Sequence, residues 1–183
     1  MLEVLLSGGT DVVVGPRPTR TEEHVEVLGR EEVVVVTSPE HRFAGLDTVP
    51  PAELAGEALV HYDPGNGFGV WVDQFAARRG VVLPQPVLRT GSPRTAAQLA
   101  AAGMGVTIVP FSAIGALPGA TVRSLDPPEL RDVVAIVAAP HDDLLRQFTS
   151  DLKRRGLPGS RVLPGRLGGP GVRQPLPEAG AAR

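Results

Sequence analysis

Leu99-Ala100-Ala101-Ala102-Gly103-Met104-Gly105-Val106-Thr107-Ile108-Val109-Pro110 is the stretch on which the fold turns. Its periodicity changes in the middle. Ala96, Leu99 and Ala100 recur at helical spacing and form an inner face. Gly103 ends that helix, since glycine adopts the left-handed conformation common at helix C-termini. From Gly105 to Pro110 the chain reads as a short apolar strand. A helix passed through a glycine turn into a buried strand is the repeating unit of an α/β fold.

Units of the same kind lie on both sides. Residues 87–90 read as a strand, Ser92 as an N-cap and Pro93 as the first helical residue. Before them, 58–61 read as a strand. Phe68, Trp71, Val72, Phe75, Ala76 and Arg79 share one helical face, opened by Asn66 and stopped by Gly80. Further upstream, 25–28 and 32–37 read as two strands. The run Asp11-Val12-Val13-Val14 is apolar and should lie inside a sheet. Leu2, Leu5 and Leu6 form a helical stripe ending at Gly8-Gly9. Downstream, 131–139 contain the longest strand, 133–138. A last helix opens near Asp142 and turns Leu144, Leu145, Phe148 and Leu152 to one face. Lys153, Arg154 and Arg155 fall in its final turn, where cations favour the helix dipole. This alternation predicts an α/β fold with a parallel sheet. Residues 156–183 are rich in Gly and Pro and are expected to form a disordered tail, because they cannot bury enough apolar surface to offset chain entropy.

Composition narrows the function. With 183 residues, 42% of them apolar, the chain can form one domain or two small lobes. A formal charge of −2 leaves no basic footprint for nucleic acid. There is no cysteine, which excludes disulfides, thiolate catalysis and cysteine-based zinc sites. The start has no basic n-region, and no apolar run approaches the ~20 residues of a membrane span, so a cytoplasmic protein without a membrane partner is expected. His24, His41, His61 and His141 show no metal-ligand spacing, and no Gly-x-Ser-x-Gly elbow is present. His41 falls in a polar loop and is expected to be solvated. Asp142-Asp143 read as a helix start rather than a metal site. No catalytic residue, metal or cofactor is expected, and the protein is read as not an enzyme.

Ligand-binding candidates cluster at strand-to-helix turns. In Tyr62-Asp63-Pro64-Gly65-Asn66-Gly67-Phe68, glycines permit close backbone approach and the free amides of a helix start attract anions. A third dinucleotide-type glycine is replaced by Val70, and no P-loop lysine follows. An ordinary turn is the alternative reading. In Thr90-Gly91-Ser92, Ser92 is a cap, a ligand contact, or both. Pro110, Phe111 and Ser112 follow a strand at its carboxyl end, where open α/β sheets bind ligands.

In order, Leu5-Leu6-Ser7-Gly8-Gly9-Thr10-Asp11-Val12-Val13-Val14, then Leu28-Gly29-Arg30-Glu31-Glu32-Val33-Val34-Val35-Val36, then Ser38-Pro39-Glu40-His41-Arg42-Phe43-Ala44, then 49–54, and finally 99–110 resemble the effector-binding domain of LysR-type transcriptional regulators. The resemblance covers roughly 1–155. It implies two Rossmann-like lobes, as in type 2 periplasmic-binding-protein-like domains: a first lobe from 1–36 and 124–155, incomplete, and a second from 37–123. The first lobe's opening strands and the DNA-binding helix-turn-helix are expected upstream of Met1, so this chain should not bind DNA itself and the first lobe should be the less stable. The resemblance also implies a small-molecule effector in a cleft between lobes and a homo-oligomeric full-length regulator. The implied cleft residues are Gly15 and Arg17 from the first lobe, with Asn66, Gly67, Phe68, Thr90, Ser92, Pro110, Phe111 and Ser112 from the second. Hydroxyls, helix-start amides and one arginine suggest an anionic ligand such as a carboxylate. A stand-alone solute-binding protein would need a leader or lipoprotein cysteine, and a small doubly wound enzyme would need a nucleophile–base pair or cofactor fingerprint.

Overall fold

The computed structural model describes residues 2–17, 24–139 and 141–156. Two long strands form its spine. Strand β2 (His24–Thr37) pairs antiparallel with β7 (Thr121–Val137) along almost its whole length. The first strand, β1 (Val12–Pro16), pairs antiparallel with the end of β7, and β6 (Thr107–Pro110) pairs antiparallel with 33–36 of β2. The order is β1-β7-β2-β6, with the short β3 (Thr48–Val49) joining β7 in parallel. Beside this sheet, β4 (Val60–Tyr62) and β5 (Leu88–Thr90) form a parallel pair. A parallel bridge from Leu59 to Val106 aligns that pair with β6.

The helices form where the pattern predicts. Helix α2 (Gly67–Arg78) buries Phe68, Val72, Phe75 and Ala76, and α3 (Pro93–Ala101) buries Ala96, Ala97 and Ala100. Helix α4 (Asp143–Arg155) is capped by Asp142, whose carboxylate accepts from the amides of Leu144 and Leu145. The short α1 (Leu2–Leu6) buries Leu5, while Leu6 is exposed.

Three expectations are corrected. The main sheet is largely antiparallel, because β7 returns along β2 instead of beside it in the same sense. The two strands expected at 25–28 and 32–37 are one: Gly29, Arg30 and Glu31 stay paired with Val133, Asp132 and Arg131 of β7, the last two pairs being of opposite charge. Strand β7 is far longer than 133–138. Its polar half, with Pro127, Pro128 and Glu129, lacks an apolar signature but still pairs, residues 125–128 leaving the β2 register between Ser124 and Glu129. Strand β1 ends the strand order among the described strands, and Val14 on it is 39% exposed. The expected tail beyond Gly156 lies outside the described residues.

Apolar packing is divided along the ribbon. The larger core gathers 33–36 of β2, β6, and the inner faces of α2 and α3. Smaller clusters sit on the two faces of the β1-β7-β2 end. One joins Leu5, Val13, Val134 and Ile136; the other joins Leu28, Ala135 and Val137, with Leu145 and Leu152 of α4 packed against it.

Candidate functional site

Three turns gather at the carboxyl ends of β4, β5 and β6, which run parallel to one another. The sequence dictates how each is built. Asn66 sits before helical Gly67 in extended conformation, and its side-chain oxygen accepts from the amides of Phe68 and Gly69 at 3.0 and 3.1 Å. Its amide nitrogen donates to the carbonyl of Gly91 at 2.9 Å. One asparagine thus caps α2 and fastens the neighbouring turn. The amide of Asp63 donates to the Thr90 carbonyl at 3.1 Å, and that of Ser92 to the Thr90 hydroxyl oxygen at 3.3 Å. The Ser92 hydroxyl receives the Thr95 amide at 3.5 Å, a long capping contact.

The third turn continues β6 through Pro110 into Phe111 and Ser112. Here the long strands meet the site. The amide of Ser112 donates to Glu31 Oε2 at 3.3 Å. The other oxygen of Glu31 is held by Arg131, whose Nε donates at 2.8 Å and whose terminal nitrogen closes a second contact. Glu31 and Arg131 are partners in the β2–β7 register, and their side chains are only 2% and 9% exposed. The guanidinium lies over an aromatic face: its carbon is 4.8 Å from the centroid of the Phe68 ring. Phe68 in turn meets Tyr62 edge-on at 5.3 Å, and the Tyr62 hydroxyl donates to the Ile108 carbonyl at 2.7 Å. Burial pushes the Tyr62 phenol well above its usual 10.0, against smaller opposing effects of Thr107 and Arg131.

The structure therefore brings Asn66, Gly67, Phe68, Thr90, Ser92, Pro110, Phe111 and Ser112 to one end of the strands. Gly15 and Arg17 stand apart. Arg17 reaches Asp132 at 3.4 Å, and Arg30 reaches the same carboxylate at 3.1 Å. Successive strand residues project to opposite faces. The register pair Arg30–Asp132 thus faces away from the next pair, Glu31–Arg131, and Arg17 goes with the former.

Glu31 and Arg131 escaped the sequence reading. A signal existed: Arg30-Glu31 and Arg131-Asp132 are charge-complementary when the two segments run antiparallel. His41 is also corrected: its side chain is only 20% exposed rather than solvated. Its Nδ1 accepts from the Phe43 amide at 3.2 Å and its Nε2 bonds Glu57 at 3.1 Å, capping a 3-10 turn. Among the described residues, no group of three or more His, Cys, Asp or Glu side chains is arranged to hold a metal.

A mixed sheet whose two long strands join two packing units is the architecture of periplasmic-binding-protein-like domains of type 2. The profile of the LysR substrate binding domain matches residues 1–155, and the chain belongs to that family. It is 26% identical over 176 residues to the HTH-type transcriptional regulator CbbR of Xanthobacter flavus, covering 91% of this chain and 51% of CbbR. The chain thus spans about half the length of that relative. Among solved structures, it resembles a cysteine variant of OxyR from Corynebacterium glutamicum with H2O2 bound. The TM-score is 0.70 and the identity 28%, over 84% of this chain and 51% of that one. It shares its fold with the CcmR regulatory domain of Synechocystis in complex with 2-PG, at TM-score 0.69 and 21% identity, over 84% and 77% of the two chains. Among the described residues, no helix is long and apolar enough to cross a membrane.

Proposed function

We propose that this chain is the ligand-sensing part of a LysR-type transcriptional regulator, binding a small anionic effector, such as a carboxylate, at the end of β4, β5 and β6. The observation that carries the reading is the junction at Glu31 and Arg131. There the crossing strands contact Ser112 and Phe68, so a molecule seated on these turns bears directly on the link between the two packing units. The division into a first lobe (1–36 and 124–155) and a second (37–123) is part of this proposal, with 33–36 and Leu125 packing in the larger core beside the second lobe. The bound 2-PG of CcmR supports a small ligand in this fold. Contact with DNA is assigned to sequence outside this chain, oligomerisation to the whole regulator, and its location to the cytoplasm. No catalytic step is proposed, because the relatives that the chain matches are transcriptional regulators.

Thermal unfolding in succinate, benzoate and acetate tests the reading, since a ligand that binds only the folded state stabilises it by mass action. At least one should raise Tm beyond an equal concentration of chloride; if none does, the carboxylate class is rejected. Ser92→Ala separates two roles. A cap alone would cost about 0.5–1 kcal/mol of stability and leave the ligand-induced shift unchanged. A ligand contact would also shrink that shift.

A further inference from the structure

Helix α4 is amphipathic but incompletely seated. Leu144, Leu145, Phe148 and Leu152 recur on it, yet Leu144 is 73% and Phe148 48% exposed, and the buried side chain it contributes is Thr149. Between α4, the first half of β2 and the end of β7 lies a half-open pocket of about 610 Å³. That volume falls in the range of small-molecule sites, roughly 300–1,000 Å³. Its apolar walls include Val27, Val137 and Leu145, with Thr149 from the helix. Its polar groups are unequal in sign. Arg146 and Lys153 stand two turns apart on α4, and among the lining groups Glu26 is the one carboxylate. Lys153 holds Glu26 only loosely, at 3.8 Å, and Arg146 is paired with the exposed Asp143 of its own helix. Neither cation is committed to a buried partner, so each can turn to an incoming charge without uncovering another.

We propose that this cavity is a second small-molecule site, separate from the turns at the ends of β4, β5 and β6. Its ligand is a small apolar anion: an aromatic or branched body between β2 and α4, with one carboxylate or sulfonate toward Arg146 and Lys153. The proposal does not rest on the reading of the other site. Occupancy would seat α4 on the sheet by covering walls that the helix leaves open.

The probe is 8-anilinonaphthalene-1-sulfonate, an aromatic body carrying one sulfonate, titrated by fluorescence into the full chain with benzoate and the uncharged benzyl alcohol as competitors. One saturable site is expected, displaced by benzoate more readily than by benzyl alcohol. Thr149→Phe, which fills the cavity, should abolish it. Lys153→Glu, at an exposed position that leaves the core untouched, should weaken the probe and benzoate about tenfold or more while sparing benzyl alcohol. Ser92→Ala should change nothing. The proposal is overturned by absence of saturable binding or by many weak sites. It is equally overturned if Lys153→Glu has the same effect on charged and neutral competitors, or if Ser92→Ala displaces the probe.

Discussion

Glu31 and Arg131 are two charges taken out of water, and their partners are as important as their pairing. Other contacts support the pair: the Ser112 amide serves the second Glu31 oxygen, and the Phe68 ring covers the guanidinium. Removing one member leaves the other charged and buried, so Arg131→Met should cost about 3–5 kcal/mol in urea unfolding. Adding Glu31→Gln should recover much of that loss. If the double variant is as unstable as the sum of the single ones, the two side chains do not act as a pair. Tyr62 makes a different prediction. Burial raises its phenol in the folded state, so the unfolded state loses its proton first. The stability linked to this group is complete below about pH 10 and is lost as pH rises above it. Unfolding midpoints should therefore fall as pH rises above about 10, and Tyr62→Phe should flatten that part of the fall. It should also cost about 1 kcal/mol at neutral pH, through loss of the bond to Ile108.

Elements were legible where one residue type has one reason to be present. Asn66, Ser92 and Asp142 cap helices in the structure because short polar side chains before an apolar period have few other uses. Gly105 belongs to the same class. Its φ is +132°, and a Cβ there would sit 2.3 Å from the Ala58 carbonyl oxygen. That oxygen accepts from the Val106 amide at 2.7 Å, so it cannot retreat without breaking the contact. Gly105→Ala combines a strained backbone with overlap and should cost about 3 kcal/mol or more, measured by chemical unfolding. A loss below about 1 kcal/mol would mean that the loop before β6 relaxes freely. Pairing was less legible than the elements themselves. The polar half of β7 reads as a loop because its strand character comes from its partner β2. The sense of the sheet was missed for the same reason: local periodicity says which residues face inward and is silent on which strand lies alongside. Of the candidate site, the turns were legible through their caps, whereas Glu31 and Arg131 acquire meaning only once β2 and β7 are placed side by side.

At the scale of the whole molecule, apolar packing and strand pairing are unevenly distributed. Val33, Val34, Val35 and Val36 are at most 1% exposed and are flanked by β7 on one edge and β6 on the other. Opening any of their amides requires disrupting two ladders and the larger core together. Strand β1 is paired with β7 alone among the described strands, and the helix before it has five residues. A helix of that length has no stability of its own and depends on what it packs against, here a small cluster around Leu5 and Val13. Strand β5 is intermediate: it pairs with β4, but Leu88 and Arg89 are exposed. Local opening free energies should follow this order. Native-state hydrogen exchange is expected to be slow at 33–36 and 107–109, intermediate at 88–90 and fast through 4–14. If the proposed site is right, ligand occupancy at the strand-end turns should slow exchange at 66–68, 90–92 and 112 more than at 4–14, which lie outside that site. If 4–14 exchange as slowly as 33–36 in the free protein, the two ends of the ribbon unfold as one unit, and the division of the core does not translate into a division of stability.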